Sequence, residues 1–117
     1  MIREFIYTST FLREWKALNF SDDDLRQLET CLLDNPNAGD LIVGTGGLRK
    51  LRFAFRNRGK SRSARVCYID FASYGKTFCL RVYAKNVQTT LTAQEKAKLY
   101  DALQRLKDEC RRNAEND

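Results

Sequence analysis

The spacing of apolar residues changes several times along the chain, and each change marks a predicted element. A short apolar-rich segment at residues 2–7 (IREFIY) predicts a first strand. Apolar residues then recur at helical spacing from Ser9, and again after Ser21, which predicts two successive helices. Ser21 and Asp24 have the spacing of a capping box, and the Asn-Pro pair at 35–36 predicts the end of the second helix.

An alternation of apolar and basic residues at 48–56 predicts a strand with one buried face and one cationic face. Lys50 and Arg52 should share the cationic face, because successive side chains of a strand point to opposite sides. Two further strands are predicted at residues 64–71 and 76–85. Their connections are short, which favours an antiparallel arrangement of the three strands.

A third helix is predicted at residues 93–110, after a capping box formed by Thr92 and Glu95. The last seven residues, RRNAEND, are polar and predict a tail. The chain has no repeat and no linker, so we expect a single α+β domain over residues 1–117. The predicted order is β-α-α-β-β-β-α: an antiparallel sheet of about four strands, with two N-terminal helices and a C-terminal helix packed on it.

Positive charge is concentrated in one part of the chain. Eight Lys and Arg residues, and no Asp or Glu, lie between Asp40 and Asp70, whereas the whole chain has a formal net charge of +6. The remaining residues therefore sum to −2, so the basicity is local, which favours a polyanionic partner such as nucleic acid. Six of the eight are arginines, whose planar guanidinium matches phosphate oxygens. We therefore favour phosphate binding over the alternative of a merely solvated strand face.

The composition argues against a metal site and against histidine-based catalysis. The chain has no histidine, and its four cysteines are far apart without a CxxC pair, so no metal ion or cofactor is predicted. We expect the cysteines to be buried apolar thiols. The N-terminal residues lack the apolar run of a signal peptide, and no long apolar segment is present, so we expect a cytoplasmic protein that does not act at a membrane.

RNA cleavage is a reaction that lysine and arginine can support without histidine or metal. RNA supplies its own nucleophile, the 2′-hydroxyl, so the protein must accept its proton and stabilise the crowded phosphate transition state. A lysine among arginines loses its proton more readily than an isolated lysine, because like charges disfavour the charged form. Lys50 lies between Arg49 and Arg52 and is therefore the predicted base.

Three short motifs resemble the RelE/HigB family of toxins from bacterial type II toxin–antitoxin modules. They are GTGGLRK at residues 44–50, the strand segment RVCY at 65–68 and YAKN at 83–86. The resemblance covers nearly the whole chain and includes the order of the predicted elements. It implies a fold similar to that of microbial ribonucleases such as barnase. It also implies activity as an mRNA interferase, a ribosome-dependent and metal-independent endoribonuclease that cuts through a 2′,3′-cyclic phosphate.

The resemblance implies catalytic roles for four cations. Lys50 and Arg52 match the paired cations of the family's first basic strand. Arg65 matches an arginine that stabilises the transition state, and Lys85 matches a cation near the scissile phosphate. Tyr83 is a further candidate because it shares a strand face with Lys85; a packed aromatic side chain is the alternative. Five more cations are expected to hold RNA: Arg49, Arg56, Arg58, Lys60 and Arg62.

The resemblance also implies partners. These are a cognate antitoxin, expected to be a DNA-binding protein encoded by a neighbouring gene, and mRNA in the A site of the 30S ribosomal subunit. The toxin alone is expected to be a monomer. Two other functions stay open: a ParE-like gyrase poison, which cuts nothing, and a non-catalytic RNA-binding module. Lys50, Arg52 and Arg65 on one face favour the nuclease, because gyrase poisons generally lack such a set.

Overall fold

A computed structural model describes residues 2–54, 63–84 and 91–116, which form a five-stranded sheet with helices on both faces. The predicted α+β class is therefore confirmed. The elements, in chain order, are β1 (Glu4–Tyr7), α1 (Ser9–Ala17), α2 (Asp22–Asp34), β2 (Asp40–Leu41), β3 (Arg49–Ala54), β4 (Ser63–Phe71), a 3₁₀ turn (Ala72–Tyr74), β5 (Lys76–Ala84) and α3 (Ala93–Glu115).

The strands lie in the order β1-β5-β4-β3-β2, which makes the sheet mixed. The antiparallel pairing of β3 with β4 and of β4 with β5 confirms the expected meander. The prediction of a purely antiparallel sheet was wrong, because β1 pairs in parallel with β5, with Glu4 opposite Lys76. Parallel neighbours need a long crossover connection. Here that connection is residues 8–75, so nothing local in the sequence specifies which strand β1 joins.

A second correction concerns the segment before the basic strand, in which no strand was predicted. Its residues Asp40 and Leu41 form β2, which pairs antiparallel with the start of β3. The Ile42 N–H then donates to the Leu48 carbonyl (2.9 Å), which closes the loop between the two strands. A two-residue strand carries too little periodicity to be recognised from the sequence.

Both predicted capping boxes are present. The Ser21 hydroxyl accepts a hydrogen bond from the Asp24 N–H (3.1 Å), and the Asp24 carboxylate accepts one from the Ser21 N–H (2.8 Å). Thr92 and Glu95 make the equivalent pair at the start of α3 (3.1 and 3.0 Å). The third helix ends later than predicted, at Glu115, so most of the predicted polar tail is helical. Arginine, alanine and glutamate in this tail are good helix formers, which explains the extension.

Two apolar clusters pack on opposite faces of the sheet. On one face, side chains of α1 and α2 such as Phe11 and Leu28 bury Val66 and Val82. On the other face, Leu103 and other residues of α3 cover residues of β4 and β5. Three cysteines are buried within these clusters, as expected, whereas the fourth is half-buried; the buried ones are Cys67, Cys79 and Cys110. Burial raises the pKa of the Cys67 thiol to about 11.

An ion pair between Glu14 and Arg81 fastens α1 to β5. The Arg81 guanidinium donates to both carboxylate oxygens of Glu14, at 2.8 Å from Nη2 and 2.9 Å from Nε. One of those oxygens also accepts the Val82 backbone N–H (3.2 Å). This contact lies beside the irregularity at Cys67 and Tyr68, where the register between β4 and β5 shifts. Arg81 is thus an anchor between a helix and the sheet, a role that the sequence does not indicate.

Replacing Glu14 with alanine should destabilise the fold. The change removes hydrogen bonds to a charged group and leaves the Val82 N–H without its acceptor, so we expect a loss of about 2–3 kcal/mol in the free energy of unfolding. Urea unfolding followed by the fluorescence of buried Trp15 measures this loss. Arg13→Ala, at an exposed position of the same helix, is the control and should change the free energy by less than about 0.5 kcal/mol. Equal effects of the two variants would contradict the anchoring role.

Candidate functional site

The register of three strands brings predicted site residues onto one face of the sheet. Arg52 of β3 is directly opposite Arg65 of β4, and Arg65 is directly opposite Tyr83 of β5. Lys50 is opposite Cys67 in the same way. Residues directly opposed on antiparallel strands have their side chains on the same face, with Cβ atoms about 4.5–5.5 Å apart. Lys50, Arg52, Arg65 and Tyr83 therefore form one group, next to the core that α3 covers.

The cations line an open groove with a volume of about 510 Å³. We call it the cationic groove; its lining residues are Gly39, Asp40, Lys50, Leu51, Arg52 and Arg65. Three of the four predicted catalytic cations thus meet in one concave site. The alternation of side chains in β3 accounts for this arrangement. The apolar alternates Leu51 and Phe53 pack against the core under α1 and α2, which turns Lys50 and Arg52 to the other side.

The arginine pair in the groove is unfavourable for the fold by itself. Like charges directly opposite each other on adjacent strands destabilise a sheet, and Arg52 and Arg65 occupy such positions. Within the described residues, neither guanidinium forms an ion pair with a carboxylate. Arg3 and Arg81, by contrast, are both paired with acidic residues. Arg52 and Arg65 therefore carry positive charge that no ion pair among the described residues neutralises.

Buried polar atoms without partners lie on the same face. Arg65 Nε, Tyr83 Oη and Ser63 Oγ are shielded from solvent, and none of them makes a hydrogen bond in the described part of the chain. Buried polar atoms without a hydrogen-bond partner are rare in folded proteins, and a bound ligand is one way in which such an atom gains a partner. Arg65 Nε can only donate, and the two hydroxyls can also donate. Of the three residues, Arg65 lines the cationic groove, so an anion bound there could accept a hydrogen bond from its Nε. Ser63 could not be predicted as a member of this face, because nothing in the sequence distinguishes its hydroxyl from that of an ordinary strand residue.

Tyr83 is a neutral phenol at physiological pH. Burial raises its pKa to about 12, the nearby Cys67 thiol adds to the rise, and the positive charges of Arg65 and Arg81 act against it. A neutral phenol can donate a proton or a hydrogen bond but cannot act as a base. The ring packs against the apolar cluster beneath α3, which agrees with the packed-aromatic alternative, and the role of Tyr83 as a site residue stays a prediction.

The edge of the groove is built by a close approach of β2 to β3. Gly39 has a φ of +86°, and a Cβ at this position would lie 2.4 Å from the Lys50 carbonyl oxygen. Only glycine is compatible with this contact. Arg49 Nη1 donates to the Gly39 carbonyl (3.1 Å), and Arg49 does not line the groove. Arg49, predicted to bind RNA, thus supports the edge of the site.

Asp40 is a member of the groove that sequence analysis overlooked. It lies directly opposite Lys50 on β2, so the two side chains share a face. In the sequence Asp40 only marked the end of the stretch without acidic residues. No short-range signal places it beside the cations, because the pairing of β2 with β3 depends on the loop between them.

The other predicted site residues lie outside the described residues. They are Lys85, Arg56, Arg58, Lys60 and Arg62. Their predicted roles therefore stay predictions.

No known protein-family model matches the chain. The resemblance to the RelE/HigB toxins therefore rests on the short motifs and on the order of elements. Among the described helices, none combines the length and the apolar character that crossing a bilayer requires.

Removing the Tyr83 hydroxyl should not weaken the fold. A buried hydroxyl without a partner gives no stabilising hydrogen bond, so Tyr83→Phe should leave the free energy of unfolding unchanged within about 0.5 kcal/mol or raise it. Tyr68→Phe is the matched control, because the Tyr68 hydroxyl donates to the Ala38 carbonyl (2.5 Å). Its loss should cost about 1 kcal/mol. Denaturant unfolding measures both, and an equal loss in the two variants would mean that Tyr83 is hydrogen-bonded in the free protein.

Proposed function

We propose that the protein is the toxin of a bacterial type II toxin–antitoxin module and cleaves messenger RNA on the ribosome, as RelE/HigB toxins do. The observation that carries the proposal is the state of Arg65. Its Nε is buried and makes no hydrogen bond within the described residues, and its guanidinium lies beside Arg52 and Lys50 in one groove. The three cations repel one another. A phosphate bound between them would attract all three, and its oxygens match the paired N–H donors of the guanidinium groups.

The reaction needs little more than the groove supplies. RNA provides the nucleophile, and Lys50, Arg52 and Arg65 would hold the scissile phosphate and stabilise the charge that builds up on its oxygens. Donors fixed in place act most strongly where water is excluded, and Arg65 Nε is such a donor. Tyr83, as a neutral phenol opposite Arg65, would donate its proton to the departing 5′ oxygen.

The proposed activity defines the partners and the compartment. A toxin that destroys messages must be restrained in the cell that makes it, so a cognate antitoxin encoded by a neighbouring gene is part of the proposal. An acidic or amphipathic segment of that antitoxin would cover the cationic groove, which is open to solvent. The reaction would take place on translating ribosomes, with mRNA in the 30S A site, and therefore in the cytoplasm. The toxin alone would be a monomer.

Mapping of transcript ends tests the proposal against its rivals. After brief induction of the protein, 5′ ends should appear at discrete positions within translated codons of a chosen message, followed by arrest of translation. Co-expression of the neighbouring small protein should abolish both effects. Intact transcripts together with DNA damage would favour a gyrase poison. Intact transcripts in cells whose growth is normal would favour a non-catalytic RNA-binding module.

Arg65→Ala should separate activity from folding. The arginine forms no ion pair in the described residues, so its loss should cost at most about 1 kcal/mol of stability. Loss of a transition-state donor should slow cleavage on the order of a hundred- to a thousandfold. The variant should fold, bind its antitoxin and fail to arrest growth, and Arg65→Lys should rescue cleavage only in part, because an ammonium lacks the bidentate fork.

The effect of Arg65→Ala is measured by growth arrest in cells and by the rate at which ribosome-bound message is cleaved. The control is Arg105→Ala, which removes an exposed arginine of α3 and should leave both unchanged. A fully toxic Arg65→Ala variant would put the active site elsewhere.

The nucleophile can be tested in the substrate itself. A message with a single 2′-deoxynucleotide at the cleavage position should bind with little change in affinity, because phosphates supply most of it, but should not be cut at that position. Products of the unmodified message should end in a 2′,3′-cyclic phosphate and begin with a 5′-hydroxyl. Cleavage at the deoxy position would exclude the 2′-hydroxyl mechanism.

A further inference from the structure

A carboxylate lies in the midst of the cationic groove. Asp40 is the one acidic side chain among the described residues that line it, and it is exposed to solvent there. Lys50 of β3 lies directly opposite, and Arg52 and Arg65 line the same groove. A negative charge at this position repels phosphate and so weakens the binding for which the cations are suited. A carboxylate that weakens phosphate binding in this groove therefore needs an explanation, and a role in the reaction would provide one.

The Asp40 carboxylate is not engaged elsewhere. In the described part of the chain it makes no hydrogen bond and no ion pair, although Lys50 is its direct neighbour across the strands. Asp70 and Glu14 show the contrasting case. Asp70 accepts hydrogen bonds from Arg3 and Thr77, and Glu14 accepts them from Arg81 and a backbone amide. Those two carboxylates hold the fold together, and Asp40 does not.

The backbone of Asp40 is nevertheless held firmly. The preceding residue, Gly39, approaches the Lys50 carbonyl too closely for any side chain, and its own carbonyl accepts a hydrogen bond from Arg49. Asp40 and Leu41 pair with Lys50 and Arg49 in β2. A free carboxylate on a fixed backbone beside three cations has the placement that a proton acceptor needs.

We infer that Asp40, in place of Lys50, accepts the proton of the attacking 2′-hydroxyl; the inference rests on the proposed function. As the bond between O2′ and phosphorus forms, the O2′ proton passes to the Asp40 carboxylate. The bond between phosphorus and O5′ breaks, and O5′ takes the Tyr83 proton. The products are a 2′,3′-cyclic phosphate and a 5′-hydroxyl, and after they leave, Asp40 gives up its proton and Tyr83 regains one. A carboxylate offers acceptor oxygens, whereas the ammonium group of a lysine has only donors.

The test compares RNA binding with single-turnover cleavage for Asp40→Asn, on ribosome-bound message with the full chain. Asparagine keeps the size of the side chain but cannot accept the proton. Cleavage should fall on the order of a hundredfold or more, the usual contribution of a general base. RNA affinity should stay the same or increase, because a repelling charge is removed. Asp40→Glu should recover part of the rate. Asp101→Asn, an exposed carboxylate on α3, is the matched control and should cleave as the unaltered protein does.

Three results would overturn the inference, and they are distinguishable. If the cleavage rate of Asp40→Asn is within about threefold of that of the unaltered protein, Asp40 is not a general base that accelerates cleavage about a hundredfold. If it loses binding and cleavage in parallel, Asp40 supports the shape of the groove and takes no part in proton transfer. If the unaltered protein itself does not cleave ribosome-bound message, the proposed function fails, and the inference fails with it.

Discussion

The register in which β3, β4 and β5 pair is the constraint on which the site depends. Across these strands Leu51, Val66 and Val82 lie opposite one another and are packed beneath α1 and α2. The next row, on the other face, is Arg52, Arg65 and Tyr83. A slip of one residue would bury the arginines and expose the valines, so burial of the apolar row specifies the register strongly. The hydrophobic core thus positions the charged side chains of the groove.

The groove is a place where stability and function oppose each other. Elsewhere in the described residues the sheet satisfies its charges, for example where Asp70 binds Arg3 and where Glu14 binds Arg81. In the groove two arginines face each other, and within the described residues the buried Arg65 Nε makes no hydrogen bond and the Asp40 carboxylate makes no ion pair. Conflicts of this kind within an otherwise consistent fold are expected at functional sites. They are the physical basis for proposing RNA as the ligand.

Much of the fold could be predicted because it is encoded locally. The capping boxes at Ser21 and Thr92 depend on residues three positions apart, and the two faces of β3 follow from simple alternation. The parallel pairing of β1 with β5 could not be predicted, because it joins distant segments of the chain. The presence of β2 could not be predicted because a two-residue strand carries too little periodicity. The same limit applies to the site. Lys50, Arg52 and Arg65 could be recognised from the local concentration of positive charge in the sequence. The position of Asp40 in the groove could not be recognised, because it depends on the pairing of a two-residue strand.

The proposed function requires Arg65 to donate its buried Nε–H to a phosphate of RNA. Nuclear magnetic resonance of the ¹⁵N-labelled protein can observe arginine Nε–H groups individually during titration with a 2′-O-methyl oligonucleotide, which cannot be cleaved. The Arg65 Nε–H signal should move on binding and exchange more slowly with water, while that of exposed Arg105 should not change. If a saturating oligonucleotide leaves the Arg65 signal unchanged, Arg65 does not donate to the phosphate and the proposed site is wrong.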